Sequence, residues 1–298
     1  MSDRESLKGV RFPVLDHGHV ILLDFMGSDA DIVDAARTSY QTGTKHVSDQ
    51  GTLLRYLFRH RHSTPFESAV VKLHVKLPIV VERQWARHRT AGWSEVSGRY
   101  SELPAETYMP QHADVCSQSA LNKQGRAEPV SAELFEQIES ESRAQVETAF
   151  EHYQWQLREG VARETARLHL PLSTYTEKVW WMNLHNLFHM LGLRMDSHAQ
   201  KEIRDYANVI GYEIVAKLFP HCWEAFVDYR LNAMTLHGQE IATVARAMLN
   251  WDGDICPVPD QSHWNRFIPD EWKLPRCRER DEFFVKLVRL GLMQAGTV

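Results

Sequence analysis

From Val71 to Leu77 the chain alternates: Val71, Leu73, Val75 and Leu77 are apolar, while Lys72, His74 and Lys76 are polar. A period of two places the apolar set on one face of a strand and the wet set on the other. A strand with one wet face suits an antiparallel sheet better than a parallel sheet covered on both sides. Pro78 follows directly and fits the first turn of a helix, which predicts a helix continuing over Ile79–Arg89.

Other elements are read with the same periods. Residues 18–25 form a strand, followed by a helix from Asp29 to Tyr40 and another over Leu53–Arg61. Gly92 and Gly98 bracket a loop, and residues 111–130, polar and turn-rich, read as an insertion that elaborates the surface. From Ser131 an amphipathic helix carries Phe135, Ile138, Val146, Ala149, Tyr153 and Leu157 and stops at Gly160. A shorter helix ends before Pro171. Thr176–Leu191 reads as a helix stopped by Gly192. Ser197 and Gln200 form a capping box before a stripe of Ile203, Ala207, Ile210, Ile214 and Leu218. After Leu231 the pattern weakens; 251–278 shows no sustained period, and a short helix over Asp281–Leu292 closes the chain.

The polar start and the lack of any apolar run near eighteen residues argue against a signal peptide and a membrane anchor. Cys116, Cys222, Cys256 and Cys277 lie far apart with no C-x-x-C, so the expected setting is a reducing cytoplasm. A formal charge of −5 disfavours a protein wrapped in nucleic acid but permits a local anion site. Neither G-x-G-x-x-G nor G-x-x-x-x-G-K-[ST] is present, which excludes the common nucleotide-binding routes.

Against that acidic total, residues 83–99 hold four arginines, one histidine and one acid. Such a cluster repels itself unless solvent or an anion lies among the guanidinium groups, so a solvated basic face and a phosphate pocket both stand. On a helix Gln84, Arg87 and His88 share a face while Arg89 points elsewhere. Ser94, Glu95, Ser97 and Arg99 then offer short hydroxyls and a guanidinium fork. His62-Ser-Thr-Pro-Phe-Glu67 reads as a turn at Thr64-Pro65. His185 and His189, four apart after Asn183, have zinc-helix spacing but no Glu after the first His, which favours a structural pair and no metal. Arg194 falls between a helix stop and the next cap, where it needs a polar ligand, and Arg167 is placed to converge with it.

Arg87-His88-Arg89, seven residues, then Ser97 satisfies R-H-R-x7-S. With His62–Glu67, Arg83-Gln-Trp, Arg167…Leu170-Pro-Leu172 and Leu193–Gln200 in order, the chain from about Phe12 to Leu231 resembles the flavin-dependent thymidylate synthases. The resemblance implies an α+β fold, a twisted antiparallel sheet flanked by helices, with one catalytic domain over 10–231 and a C-terminal extension over 232–298. It implies a homotetramer with sites shared between subunits. The reaction would be methylation of dUMP to dTMP with 5,10-methylenetetrahydrofolate as carbon donor and NADPH recharging FAD.

By matching position, the resemblance gives dUMP to Gln84, Arg87, Glu95, Ser97, Gly98, Arg99 and Arg167, with Arg194 as the catalytic residue on the pyrimidine. It gives FAD to Thr64, Arg87, His88, Arg89, Glu95, Asn183, His185 and His189. Gly92, Ser94, His185 and His189 depart from the commoner residues of the pattern. A second reading makes residues 59–62 and 83–99, with Trp85 and Trp93 interleaved, a surface that stacks single-stranded nucleic acid.

Overall fold

The computed structural model describes residues 4–38, 49–120, 125–249, 260–274 and 277–294. Strands β1 (Arg11–Val14) and β2 (Gly18–Met26) form a hairpin, and helix α1 (Asp29–Arg37) follows, capped by Ser28. The helix expected to reach Tyr40 thus ends at Arg37, and Tyr40 lies outside the described residues. Asp49 caps α2 (Gln50–Arg59), and a 3-10 turn over Thr64–Ser68 leads into β3 (Val70–Pro78). Pro78 opens α3 (Ile79–Trp85), which is followed by β4 (Gly92–Glu95). Next come a small hairpin, β5 (Cys116–Gln118) and β6 (Arg126–Pro129), then α4 (Ala132–Arg158), α5 (Arg163–Ala166) and β7 (Tyr175–Asn183). Helix α6 (Leu184–Arg194) precedes α7 (Lys201–Asn208), which runs through a π-helical stretch into α8 (Ala216–Leu218); α9 (Pro220–Phe226) follows. The last helices are α10 (Gly238–Leu249), α11 (Gln261–Trp264) and α12 (Arg278–Arg289).

The main sheet has the order β1-β2-β3-β7-β4, each neighbouring pair antiparallel. The fold is therefore mixed helix and sheet with the expected antiparallel pairing. Val71, Leu73, Val75 and Leu77 are fully buried, as the alternation requires. They share a core with Leu54, Leu187, Tyr206, Ile210 and Phe226 from the helices laid on that face. Trp85 packs edge-to-face on Trp180 at 5.5 Å and on Tyr206 at 6.0 Å.

Three sequence expectations are corrected. Residues expected to be the first half of a helix over Thr176–Leu191 form β7 instead, paired with β3 from Val70↔Asn183 to Pro78↔Tyr175. Its β-branched and aromatic residues suit a central strand, and the helix starts only at Leu184, under an Asn183 cap. Helix α3 ends at Trp85, not Arg89: Arg87 N–H donates to the Gln84 carbonyl and His88 N–H to that of Trp85, a tightened last turn. The glycine-bracketed loop is in part an edge strand, β4, held on β7 from Gly92↔Trp181 to Glu95↔Lys178.

The insertion is fastened, not loose. Arg126 Nη2 donates to both oxygens of the buried Glu202 carboxylate at 2.8 Å, and Tyr108 Oη donates to the same group at 3.4 Å. The chain divides into two compact units, Met1–Leu231 and Asn232–Val298. In the second, where the sequence pattern is weak, α10 forms unforeseen, and Trp264, Trp272, Phe283, Phe284 and Leu287 build a separate core. Much of the aperiodic stretch, 251–259 and 275–276, lies outside the described residues, as does Cys256. Cys116, Cys222 and Cys277 are free thiols.

A buried ion pair ties α3 to β7. Lys178 Nζ donates to Glu82 Oε2, with the side chains 1% and 7% exposed, and lies 4.7 Å over the Trp85 ring. Burial lowers the Lys178 pKa and raises that of Glu82. Removing one partner of such a pair strands a buried charge, whereas replacing both by apolar groups is often neutral. We expect Lys178→Met to lower urea-denaturation stability by about 3–5 kcal/mol. The double variant Lys178→Met/Glu82→Leu should recover most of it; a double variant as weak as the single would show the pair to be a net stabiliser.

Candidate active site

The last turns of α3 and α6 meet at one corner of the molecule. Arg194 is the final residue of α6, so it sits at a helix C-terminus, where its charge is favoured. This reverses the sequence expectation of a stop at Gly192 and a helix N-terminus beside the arginine. The Ser197–Gln200 capping box is not formed either: α7 begins at Lys201 with no side-chain cap, and Gln200 instead accepts from the Gln84 amide.

Arg194 Nε donates to His88 Nε2 at 3.0 Å, and Nη2 donates to the Gln84 carbonyl at 3.2 Å. His88 is buried at 8% exposure, and burial followed by the Arg194 charge lowers its pKa to about 4. It is thus a neutral acceptor at ordinary pH. Burial also lowers the Arg194 pKa. Of the five N–H donors of a guanidinium, two are committed to protein, leaving three for a ligand. Arg87 and Arg89, expected on two faces of a helix, lie exposed on the turn beyond it, while His88 between them points inward.

A second group forms where β4 passes into its loop. Glu95, in register with Lys178, accepts from Thr176 Oγ1 at 2.8 Å. Ser97 Oγ accepts from the Arg99 N–H at 3.3 Å. A Cβ on Gly98 would sit 3.1 Å from Arg167 Cδ and 3.2 Å from its Nη1, so glycine lets that guanidinium lie against the backbone. Arg99 Nε meets Glu164 at 3.2 Å with both side chains 58% exposed, a contact worth little and easily exchanged for another anion. Ser97, Gly98, Arg99 and Arg167 are brought together here.

The third group is a cleft of about 270 Å³ between the end of α2, the following turn and α6. It is lined by Arg61, His62, Ser63, His185, His189 and Arg230 around Phe58, Phe66 and Phe188. No lining side chain is acidic, so cationic and imidazole groups surround an aromatic floor, a donor set that fits a polyanion carrying flat rings. His189 also contributes to the lowered pKa of His88, which links this cleft to the Arg194 corner. No group of three metal-ligating side chains occurs among the described residues. Thr64 is exposed on the turn beside Ser63, and the Asn183 carboxamide oxygen caps α6 by accepting from Asn186 N–H at 2.9 Å.

Sequence reasoning missed Lys178 and Glu82, which lie behind this region, and Arg61 and Arg230 in the cleft. Arg61 entered only as one of residues 59–62 in the nucleic-acid reading; Arg230 gave no local signal, being far away in sequence. The nucleic-acid surface is not formed, because Trp85 is fully buried and cannot stack on a base.

The protonation state of His88 yields a stability prediction. Its folded pKa of about 4 lies below the ordinary 6.5, so the unfolded chain takes up the proton first. Stability therefore falls as pH drops from 6.5 towards 4. His88→Gln keeps an acceptor for Arg194 and should flatten the fall of Tm across that window. His19, whose pKa burial also lowers to about 4, and His263, which burial likewise lowers, contribute to the remainder. An unchanged Tm–pH profile would mean that His88 is protonated in the fold.

The profile for the thymidylate synthase complementing protein family matches residues 21–221. The chain is 48% identical over 240 residues to a flavin-dependent thymidylate synthase of Ruegeria pomeroyi, covering 79% of each chain. It is 46% identical over 245 residues to one from Treponema denticola, covering 82% of this chain and 92% of that one. Its fold superposes on the crystal structure of a UMP/dUMP methylase, PolB from Streptomyces cacaoi bound with 5-Br dUMP, with a TM-score of 0.67 at 34% identity, covering 74% of this chain and 98% of that chain. With the R-H-R-x7-S segment inside the matched region, the chain belongs to the thymidylate synthase complementing protein family.

Proposed function

We propose that this chain is a flavin-dependent thymidylate synthase that methylates dUMP to dTMP. FAD would be its cofactor, 5,10-methylenetetrahydrofolate the carbon donor and NADPH the reductant, in a homotetramer with shared sites. The observation that carries the reading is the Arg194–His88–Gln84 corner, which joins residues from separate parts of the chain within hydrogen-bond distance. Family membership gives those residues a reaction to serve. The catalytic domain would be residues 10–231, with 232–298 as an extension.

In this reading dUMP lies between the Arg194 corner and the Ser97–Arg99 loop. Arg167, against Gly98, and Arg99, released from Glu164, would hold the phosphate dianion with paired donors. Glu95 and Gln84 would orient the pyrimidine. Arg194, fixed through two of its donors, would direct the others at the ring oxygen on which charge grows as the carbon–carbon bond forms. A preorganised guanidinium stabilises that charge with little reorganisation. His88 acts through Arg194 as a neutral positioning residue.

The cleft carrying His62, His185 and His189, together with Thr64 next to Ser63, Asn183 at the start of α6, and Arg87 and Arg89 on the turn after α3, would hold FAD. When bound, the flavin supplies the hydride that completes the methyl group, which spares the protein a nucleophile of its own.

Purified protein should be yellow with flavin absorbance and should release tritium from [5-³H]dUMP; colourless, inactive protein would sink the reading. UMP should be run alongside, since the structural neighbour is described as a UMP/dUMP methylase. Arg194→Lys should reduce tritium release by about 10²–10³ with little loss of nucleotide affinity, because an ammonium cannot reproduce a planar multi-donor contact. A loss confined to nucleotide binding would make Arg194 a binding residue only.

A further inference from the structure

We propose that Arg61 and Arg230 grip the diphosphate of a dinucleotide in the cleft beside α6, an assignment that rests on the cofactor reading above. The argument starts from the backbone. Helix α2 is closed by Arg61 N–H donating to the Phe58 carbonyl at 3.1 Å and His62 N–H to the Leu57 carbonyl at 2.9 Å. That closure puts Arg61 at φ 60°, in the left-handed region where glycine or asparagine usually ends a helix. An arginine there is held against its own conformational preference, and such outliers gather at ligand sites.

The side chain gives the reason. Arg61 lines the cleft, and so does Arg230 from the π-helical stretch Val227–Leu231 that follows α9, its guanidinium carbon 6.0 Å over the Phe58 ring. Among the described residues neither has a carboxylate partner, whereas nearby Arg55 is paired with Asp228 at 2.5 Å. Two guanidinium groups without counter-charge, joined by His185 and His189, repel one another until a multiply charged anion enters. A diphosphate supplies that charge over several oxygens and matches the fork geometry of arginine. The aromatic rings beneath suit an attached sugar or ring. At about 270 Å³ the cleft takes the middle of a dinucleotide, not the whole molecule.

Flavin and nicotinamide dinucleotides share this diphosphate, and the test separates them. Full-length protein is stripped of flavin and titrated with FAD and with riboflavin, which has no phosphate, by fluorescence quenching; the KM for NADPH is measured on the reloaded enzyme. Arg61→Gly suits a φ of 60°, so the flavin-free variant should melt at or above the wild-type temperature. Its FAD dissociation constant should rise by roughly tenfold or more, with riboflavin binding unchanged. Arg61→Asn, which also tolerates this backbone, and Arg230→Gln should do the same. A loss seen only in the NADPH KM supports the diphosphate site and assigns it to the nicotinamide dinucleotide.

Wild-type affinity for both dinucleotides in Arg61→Gly and Arg230→Gln would overturn the inference and leave the cofactor reading intact. Equal weakening of riboflavin and FAD would also overturn it, because the residues would not be acting on phosphate. A wild-type protein that binds no flavin would overturn the reading and the inference together.

Discussion

The candidate site depends on the pairing of β7 with two neighbours at once. Nine residues of β7 are in register with β3, and Gly92–Glu95 of β4 lie on its other edge. Because β7 runs straight into α6 through the Asn183 cap, its register sets where Arg194 ends up one helix length later. Because β4 hangs on its opposite edge, the same register sets Glu95 and the loop that carries Ser97, Gly98 and Arg99. A slip of one residue would turn every β7 side chain to the other face. Lys178 would then leave Glu82, and Glu95 would lose Thr176. One strand therefore indexes the groups proposed to hold the nucleotide.

Charge is arranged around this strand in a graded way. Lys178 is buried and fully matched by Glu82. Arg194 is half-buried, and its two protein partners are neutral acceptors, His88 and a carbonyl. Arg99 is exposed and only loosely paired with Glu164. The matched pair holds architecture, since a carboxylate already answers its charge. Arg194 keeps an unanswered charge in a partly desolvated place, where it acts most strongly on an arriving electron-rich group. Loosely paired cations at the rim can change partners at small cost. The gradient from structural to available charge runs in the direction that substrate entry requires.

How much of this the sequence displayed follows from which contrasts survive folding. The strand 71–77 was legible because its two faces differ in polarity. β7 alternates equally well in space, but its inward face carries Thr176 and Lys178 beside Trp180 and Met182, and its outward face carries Val179 and Trp181. The polarity contrast is inverted in places, so no period of two is visible, and the stretch reads as the front of a helix stopped by Gly192. The arginine-rich segment was visible as a charge anomaly, but the inward turn of His88 depends on where α3 stops. Arg194 was singled out for a reason the fold reverses, since the helix continues through Gly192. Arg230 meets Arg61 only through tertiary packing, and no local pattern could join them.

Gly92 shows the same point at atomic scale. In the sequence it is a departure from the resembling pattern, which invites an explanation through ligand contact. In the fold it faces Trp181 across the β4–β7 pair, and a Cβ built on it would lie 2.4 Å from that indole ring. No side chain fits between the ring and the strand, so the neighbouring indole by itself imposes glycine here. Trp181 in turn lies against the backbone of β4, which among the described residues forms one edge of the sheet. A residue that looked like a change in the site is thus one half of a packing exchange behind it. The chemistry proposed for Glu95 and Ser97 rests on that exchange, because both follow Gly92 along the same short strand and loop.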